Sequence, residues 1–297
     1  MSAGGLVQAG SGHATSAARH TYRQRLAVRR MWTWLLVALA VPIALTVLAR
    51  MLEPRLTFFP SRGQSATPAA AGIAFEAATI ETADGEQLRA WILPHERARA
   101  SVLFFHGNGG NLSMWLPVIA GIHAQGYAVT ALDYRGYGLS TGVASERGLY
   151  QDVDAVLAWW MPRQPPGVPT MFWGRSLGTT FAAYAATKVR PGGLVLESGF
   201  PDARTMVRDS PVLLVLSYFA SYRLPTARFA QAAGCPVLVM HGDADGVIPF
   251  PNGRALYEAL PQPKRFEVIH GGDHNDLEPP DPPAYWRAVR EFVTTLR

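Results

Sequence analysis

Ser176 stands in Gly174-Arg175-Ser176-Leu177-Gly178, between the apolar run Thr170-Met171-Phe172-Trp173 and a stretch of small and aromatic residues, Thr179-Thr180-Phe181-Ala182-Ala183-Tyr184-Ala185-Ala186. The order reads as strand, sharp turn, helix. Glycines two before and two after a serine let neighbouring backbones crowd together at such a turn, and the strained turn pushes the hydroxyl outward. A serine so presented is a candidate nucleophile. A second Gly-x-Ser-x-Gly match exists, Gly138-Leu139-Ser140-Thr141-Gly142, but Asp133-Tyr134-Arg135-Gly136-Tyr137 before it is a turn-rich loop and not a strand entering an elbow. Context selects Ser176.

A serine hydroxyl is a poor nucleophile at neutral pH, so it needs a general base, and the base needs an acid to hold its tautomer and stabilise its charged form. Of the eight histidines, His13 and His20 precede a long apolar segment, His95 lies in a charged loop, and His123 falls in a helical pattern. His106 and His241 each close a strand as His-Gly, a place where the ring supports a loop. His270 ends a strand, whereas His274 lies in the following loop, Gly271-Gly272-Asp273-His274-Asn275-Asp276, and from there can swing over the C-terminal edge of a sheet. His274 is the expected base. The acid has two candidates in His241-Gly242-Asp243-Ala244-Asp245-Gly246-Val247-Ile248-Pro249. Asp243 sits where a turn-forming residue is expected, and Asp245 one loop residue further on is favoured; the residues alone leave both open.

Acyl transfer also requires donors for the developing oxyanion. His106-Gly107-Asn108-Gly109-Gly110-Asn111 follows the apolar run 101–105, and its glycines free backbone N–H groups to face an incoming carbonyl oxygen. The expected donors are the N–H groups of Asn108 and Leu177. A phosphate-cradling role for this loop lacks both the Gly-Lys-Ser/Thr signature and a dinucleotide fingerprint. The implied chemistry calls for no cofactor and no metal.

These residues need elements to hold them. Asp84-Gly85 between the runs 74–82 and 88–93 predicts a β-hairpin. Apolar runs at 101–106, 127–133, 169–173, 193–197, 235–240 and 264–270 then alternate with helical stretches near 112–125, 145–161, 177–189, 252–260 and 283–296. Near-continuous apolar strands divided by helices imply an α/β domain over 73–297, with a mostly parallel, doubly wound sheet covered on both faces.

The N-terminal part is of another kind. Residues 1–30 read as a disordered basic tail, and residues 31–49 form an uncharged apolar run with Trp32 and Trp34 at one end. About 20 apolar residues cross a bilayer core, so 31–50 is read as a transmembrane anchor; Val47-Leu48-Ala49 keeps a cleaved signal peptide open as the alternative. Residues 51–72 read as a linker. Five arginines precede the apolar run closely and Arg50, Arg55 and Arg62 follow it, a modest bias that puts the N-terminus in the cytoplasm and the domain on the outer, periplasmic or exported, face. Six of the 27 basic residues and none of the 22 acidic ones lie in 1–50, so the remainder carries 21 basic against 22 acidic side chains. A neutral domain gives nucleic acid no electrostatic footing. The single cysteine, Cys235, opens an apolar run and reads as a buried, inert thiol.

Asp133-Tyr134-Arg135-Gly136-Tyr137-Gly138-Leu139-Ser140 after a strand, with His106-Gly107-Asn108-Gly109-Gly110-Asn111 before it and Gly174-Arg175-Ser176-Leu177-Gly178 behind it, resembles the α/β-hydrolase superfamily. The likeness is greatest to its membrane-anchored serine hydrolases, several of them lipases or protein depalmitoylases, and covers roughly 56–297, including Leu56-Thr57-Phe58-Phe59-Pro60-Ser61. The resemblance implies Asp245, in Asp-x-x-Ile-Pro, as the acid, and the order Ser176, Asp245, His274 fits it. It also implies a cap in the insertion 199–234, whose Pro211-Val212-Leu213-Leu214-Val215-Leu216-Ser217-Tyr218-Phe219-Ala220 is too apolar for an ordinary surface loop. The expected function is a serine hydrolase that cleaves carboxylic ester or thioester bonds of small-molecule or lipid-like acyl substrates beside a membrane. A catalytically silent scaffold and a serine peptidase are the alternatives.

Overall fold

The computed structural model describes residues 13–208 and 210–296. The chain divides into two compact units, Met1–Met51 and Leu52–Arg297. The boundary falls inside helix α1, His13–Thr57. Its segment Arg19–Thr57 contains a window of mean hydropathy 2.3 and is long and apolar enough to span a membrane. Residues 13–30 are helical and not a disordered tail; the glycines that suggested disorder all lie in 1–12, whereas 13–30 holds alanines and arginines, strong helix formers. Residues 1–12 of that expected tail lie outside the described residues.

The expected linker 51–72 is largely built structure. Residues 52–57 complete α1, Phe58 is buried, and strand β1 (Phe59–Pro60) follows. The Pro, Gly and Ser content of this stretch concealed the apolar Phe58 and the backbone pairing of its neighbours. Next come β2 (Glu76–Glu81) and β3 (Gln87–Leu93), antiparallel about the Asp84-Gly85 turn, where Gly85 takes φ +86°. Strand β4 is Ser101–Phe105, β5 is Gly109–Gly110, and α2 is Leu112–Ala124. Then follow β6 (Ala128–Asp133), α3 (Glu146–Trp160), β7 (Thr170–Arg175), α4 (Gly178–Lys188) and β8 (Gly193–Glu197). The insertion carries three short helices, α5 (Ala203–Met206), α6 (Pro211–Ser217) and α7 (Thr226–Gln231). Strand β9 (Val237–Gly242), α8 (Phe250–Ala259), β10 (Lys264–Ile269) and α9 (Pro282–Thr294) complete the chain.

Eight strands form one sheet in the order β10-β9-β8-β7-β4-β6-β3-β2, parallel except where β3 meets β2 and β6. Every residue of β4 and β8 is buried, as strands covered on both faces must be. The covering helices show the spacing that buries one stripe. In α9, Tyr285, Ala288, Val289, Phe292 and Val293 are buried, and Asp281 caps the start by accepting from Ala284 N–H. In α3, Leu149, Val153, Val156, Leu157 and Trp160 do the same behind a Ser145 cap.

Strand β4 lies between β6 and β7, so the connection leaving β4 runs to one side and β7 returns on the other. A crevice opens at the carboxyl ends of strands where the order reverses in this way, and ligands bind there. The loop after β4 and the turn after β7 flank that crevice, with Phe105 in register with Gly174.

Candidate active site

Strand β7 delivers Ser176 in the left-handed region, φ +54°, which costs a residue with a Cβ about 1–3 kcal/mol. Neighbours hold it there: Ser176 N–H donates to Glu197 O at 2.8 Å, and Thr179 donates to Ser176 O through its N–H at 3.0 Å and its hydroxyl at 2.6 Å. The flanking glycines are required by space. A Cβ on Gly174 would come 2.2 Å from Gly178 O, and one on Gly178 would come 2.0 Å from Phe105 O. By contrast Ser140 of the second match is fully buried, its hydroxyl donating to Asp133 O at 2.7 Å and accepting from Arg89 N–H at 2.9 Å. It supports a loop.

His274 Nε2 lies 2.9 Å from Ser176 Oγ, and His274 Nδ1 lies 2.8 Å from Asp245 Oδ2. An ionised carboxylate only accepts, so Nδ1 carries the proton and Nε2 is left to accept from the serine hydroxyl. Burial pushes the Asp245 carboxyl up, but the hydrogen bond from His274 and the Ile248 N–H outweigh it and hold the group below the usual carboxylate range. Its other oxygen, Oδ1, accepts from Val247 N–H at 3.0 Å and Ile248 N–H at 2.7 Å. Asp245, and not Asp243, therefore also makes the side-chain turn expected in this loop. Asp243 points elsewhere: its carboxylate meets His270 Nδ1 at 2.9 Å and Gly271 N–H at 2.7 Å, with the His270 side chain 84% exposed. His241 is buried beneath the acid, and burial lowers its pKa despite its contacts with Ile248 O and Asp245, so the ring stays neutral.

The loop after β4 approaches Ser176 closely, since a Cβ on Gly107 would stand 3.3 Å from Ser176 Cβ. Among the described residues neither the Asn108 N–H nor the Leu177 N–H donates to a protein acceptor. Leu177 is the residue just before α4, where the helix N-terminus also favours negative charge. The structure thus brings Ser176, His274 and Asp245 into one hydrogen-bonded chain, with the two expected donors free on the flanking loops. No group of three His, Cys, Asp or Glu side chains among the described residues is arranged to hold a metal ion. Burial pushes the Cys235 thiol up to about 11.

A family model described as serine aminopeptidase, S33, matches residues 96–233. An uncharacterized protein of Mycobacterium tuberculosis is 31% identical over 245 residues, 82% of this chain and 87% of that protein. The chain belongs to the α/β-hydrolase superfamily. It is also similar to an uncharacterized membrane protein of Saccharomyces cerevisiae, 31% identical over 79% of this chain and 87% of that protein. The lysophosphatidylserine lipase ABHD12 of Macaca fascicularis is 30% identical over 66% of this chain, but only 56% of that protein is covered. Among solved structures, a Pyrococcus furiosus esterase superposes with a TM-score of 0.65 at 19% identity, over 81% of this chain and 98% of that one, a likeness of fold.

Two buried residues of this α/β-hydrolase escape the sequence reading. Arg175, at the variable position before the serine, donates to His274 O at 3.2 Å and to Asp276 O, and its Nε stands 3.7 Å from Glu197 Oε1. Glu197 in turn accepts from Trp173 Nε1 and the Tyr285 hydroxyl, each at 3.0 Å. The pair ties the carbonyls of the histidine loop to the end of the sheet. The available signal was one charged residue closing each of two otherwise apolar strands. A cavity of about 320 Å³ lies behind this loop, lined by Arg175, Glu197, Tyr285 and Trp286 among others; Ser176 is not part of its wall.

The insertion 199–234 is held at its base by two carboxylates. Glu53 accepts from the Ser221 hydroxyl and Tyr222 N–H, both at 2.5 Å, and Glu146 accepts from Arg223 N–H at 2.7 Å and Leu224 N–H at 2.8 Å. Its apolar run does not sink into the body of the domain: Val212, Val215 and Tyr218 each expose more than half of their surface.

Proposed function

We propose that this protein is a membrane-anchored serine hydrolase that cleaves carboxylic ester or thioester bonds of lipid-like acyl substrates through an acyl-enzyme. The observation that carries the proposal is the continuous chain from Ser176 Oγ through His274 to Asp245, with links of 2.9 and 2.8 Å, on a strained elbow. As Ser176 Oγ attacks the acyl carbon, its proton passes to His274 Nε2, and the Asp245 carboxylate stabilises the imidazolium. The N–H groups of Asn108 and Leu177 receive the oxyanion. When the tetrahedral adduct collapses, the bond to the alcohol or thiol breaks and His274 returns the proton to it. Water repeats the sequence on the acyl-enzyme and releases the acid.

The exposed apolar face of α6 and the spanning-length α1 favour an acyl chain drawn from a bilayer surface, and the lipase among the relatives agrees with that class. The arginines at 19, 23, 25, 29 and 30 favour a cytoplasmic N-terminus, which puts the hydrolase unit on the outer face.

A fluorophosphonate probe is expected to label wild-type protein on Ser176, located by peptide mass spectrometry. Failure of folded protein to label would leave a silent scaffold as the reading. Ester substrates of graded chain length, an acyl thioester and an aminoacyl p-nitroanilide then divide the chemistries. The S33 match makes the amide arm necessary, and faster turnover of the anilide than of every ester would replace the esterase reading with a peptidase. Carbonate extraction of membranes is expected to leave the full-length chain in the pellet; its release would rule out a spanning helix.

A further inference from the structure

The residues that leave α1 reach directly into the candidate site. Asn108 has its side chain clamped on three sides. Its Nδ2 donates to Thr57 O, and its Oδ1 accepts from Phe59 N–H at 3.2 Å and from the Tyr137 hydroxyl at 3.0 Å. The adjoining glycines are held by main chain: β1 pairs with β5 in parallel, Phe59 with Gly109 and Pro60 with Gly110, and Ser61 N–H donates to Gly110 O at 2.9 Å. Asn111 Nδ2 closes the arrangement by donating to Ser61 O at 3.1 Å and Gly63 O at 2.9 Å.

The loop has glycine at 107, 109 and 110, and glycine gives up more conformational freedom on ordering than any other residue; apart from the strap, its ties are His106 Nδ1 to Gly107 O at 2.7 Å and Trp115 Nε1, which donates to Gly109 O at 2.9 Å. An oxyanion donor works only when it is already in place as charge develops, within about 0.5 Å of the productive position. The strap at 57–63 adds partners for Asn108, which stands between those ties. We infer that this strap is a working part of the oxyanion site, acting through the Asn108 side chain, with the Asn108 amide and the Tyr137 hydroxyl as positioning groups. The inference rests on the proposed role of the Asn108 N–H as oxyanion donor. Its consequence is that the segment joining anchor to hydrolase sets turnover, because an unpinned donor loses transition-state stabilisation while ground-state substrate binding is unchanged.

The test uses the full-length protein. Phe59→Pro removes the strap's donor to Asn108, Asn108→Ala removes the clamped amide, and the double variant combines them. With a short-chain p-nitrophenyl ester, each single variant is expected to lower kcat by about 10- to 100-fold. KM should stay within about threefold, and affinity for a trifluoromethyl ketone, which forms an oxyanion on the serine, should fall by the same factor as kcat. The double variant should be no slower than Asn108→Ala alone, since both act through one side chain. Losses that multiply, or an Asn108→Ala enzyme that melts as wild type and retains kcat within twofold, overturn the inference. Should either variant fail to fold by its melting curve, Tyr137→Phe, which deletes one hydroxyl, decides on the same readouts. Wild-type protein that neither labels on Ser176 nor binds the ketone would sink the acyl-enzyme reading itself, an outcome distinct from full activity in the variants.

Discussion

Ser176→Ala is expected to lower kcat by about 10⁶-fold and to abolish fluorophosphonate labelling, with folding unchanged by circular dichroism. The size follows from the absence of a substitute nearby. Ser140 has both sides of its hydroxyl engaged inside the domain, and among the described serines it is Ser176 whose hydroxyl meets His274 Nε2. What survives is the contribution of the oxyanion donors and of binding, which speeds direct attack by water. Alanine at φ +54° carries the same backbone strain as serine, so the substitution removes the nucleophile without relaxing the elbow. KM is expected to change little, since the hydroxyl forms its bond only on the way to the transition state. A variant that keeps more than about one hundredth of wild-type turnover, purified free of wild type, would reassign the nucleophile.

The parts of the molecule legible in the sequence are those set by local chemistry. The elbow was visible because close backbone approach at Gly174 and Gly178 leaves only glycine possible, and the space around both bears this out at 2.2 and 2.0 Å. The Asp84-Gly85 hairpin formed as read, and the sheet strands start and stop within about two residues of the apolar runs, because those runs are bounded by turn residues. What stayed hidden depends on segments far apart in the chain. Asn108 and Phe59 are 49 residues apart, and Arg175 and His274 are 99 apart; no periodicity records such pairs. The strap read as a linker because Pro, Gly and Ser suggest loops, while its hold on Asn108 and the glycines is made by backbone groups that every residue carries, with the Arg62 guanidinium donating to Ser140 O at 2.5 Å and Gly142 O at 2.7 Å beside it. The two aspartates were also inseparable locally. One carboxylate has two oxygens, and Asp245 uses one for the turn and the other for the histidine, so the turn argument could not exclude it from the relay.

That division of labour makes the second large prediction sharp. Asp245→Asn is expected to lower kcat by about 10⁴-fold near neutral pH while leaving the fold intact. The amide has one oxygen, and the Val247 and Ile248 N–H groups, which donate to Oδ1 at 3.0 and 2.7 Å, will claim it. Its NH₂ must then face His274 Nδ1 across the position now spanned at 2.8 Å. Two donors cannot share that link, so His274 is driven to the tautomer with its proton on Nε2, where it can no longer take the proton of Ser176. Asp243→Asn provides the contrast two residues away. There the oxygen can go on accepting from Gly271 N–H, only the exposed His270 loses a charged partner, and kcat should stay within about threefold of wild type. Steady-state kinetics on the two purified variants separate them by three orders of magnitude or more on this reasoning. Equal losses in both would show that the acid has been misassigned, and a full loss in Asp243→Asn alone would transfer the role to it.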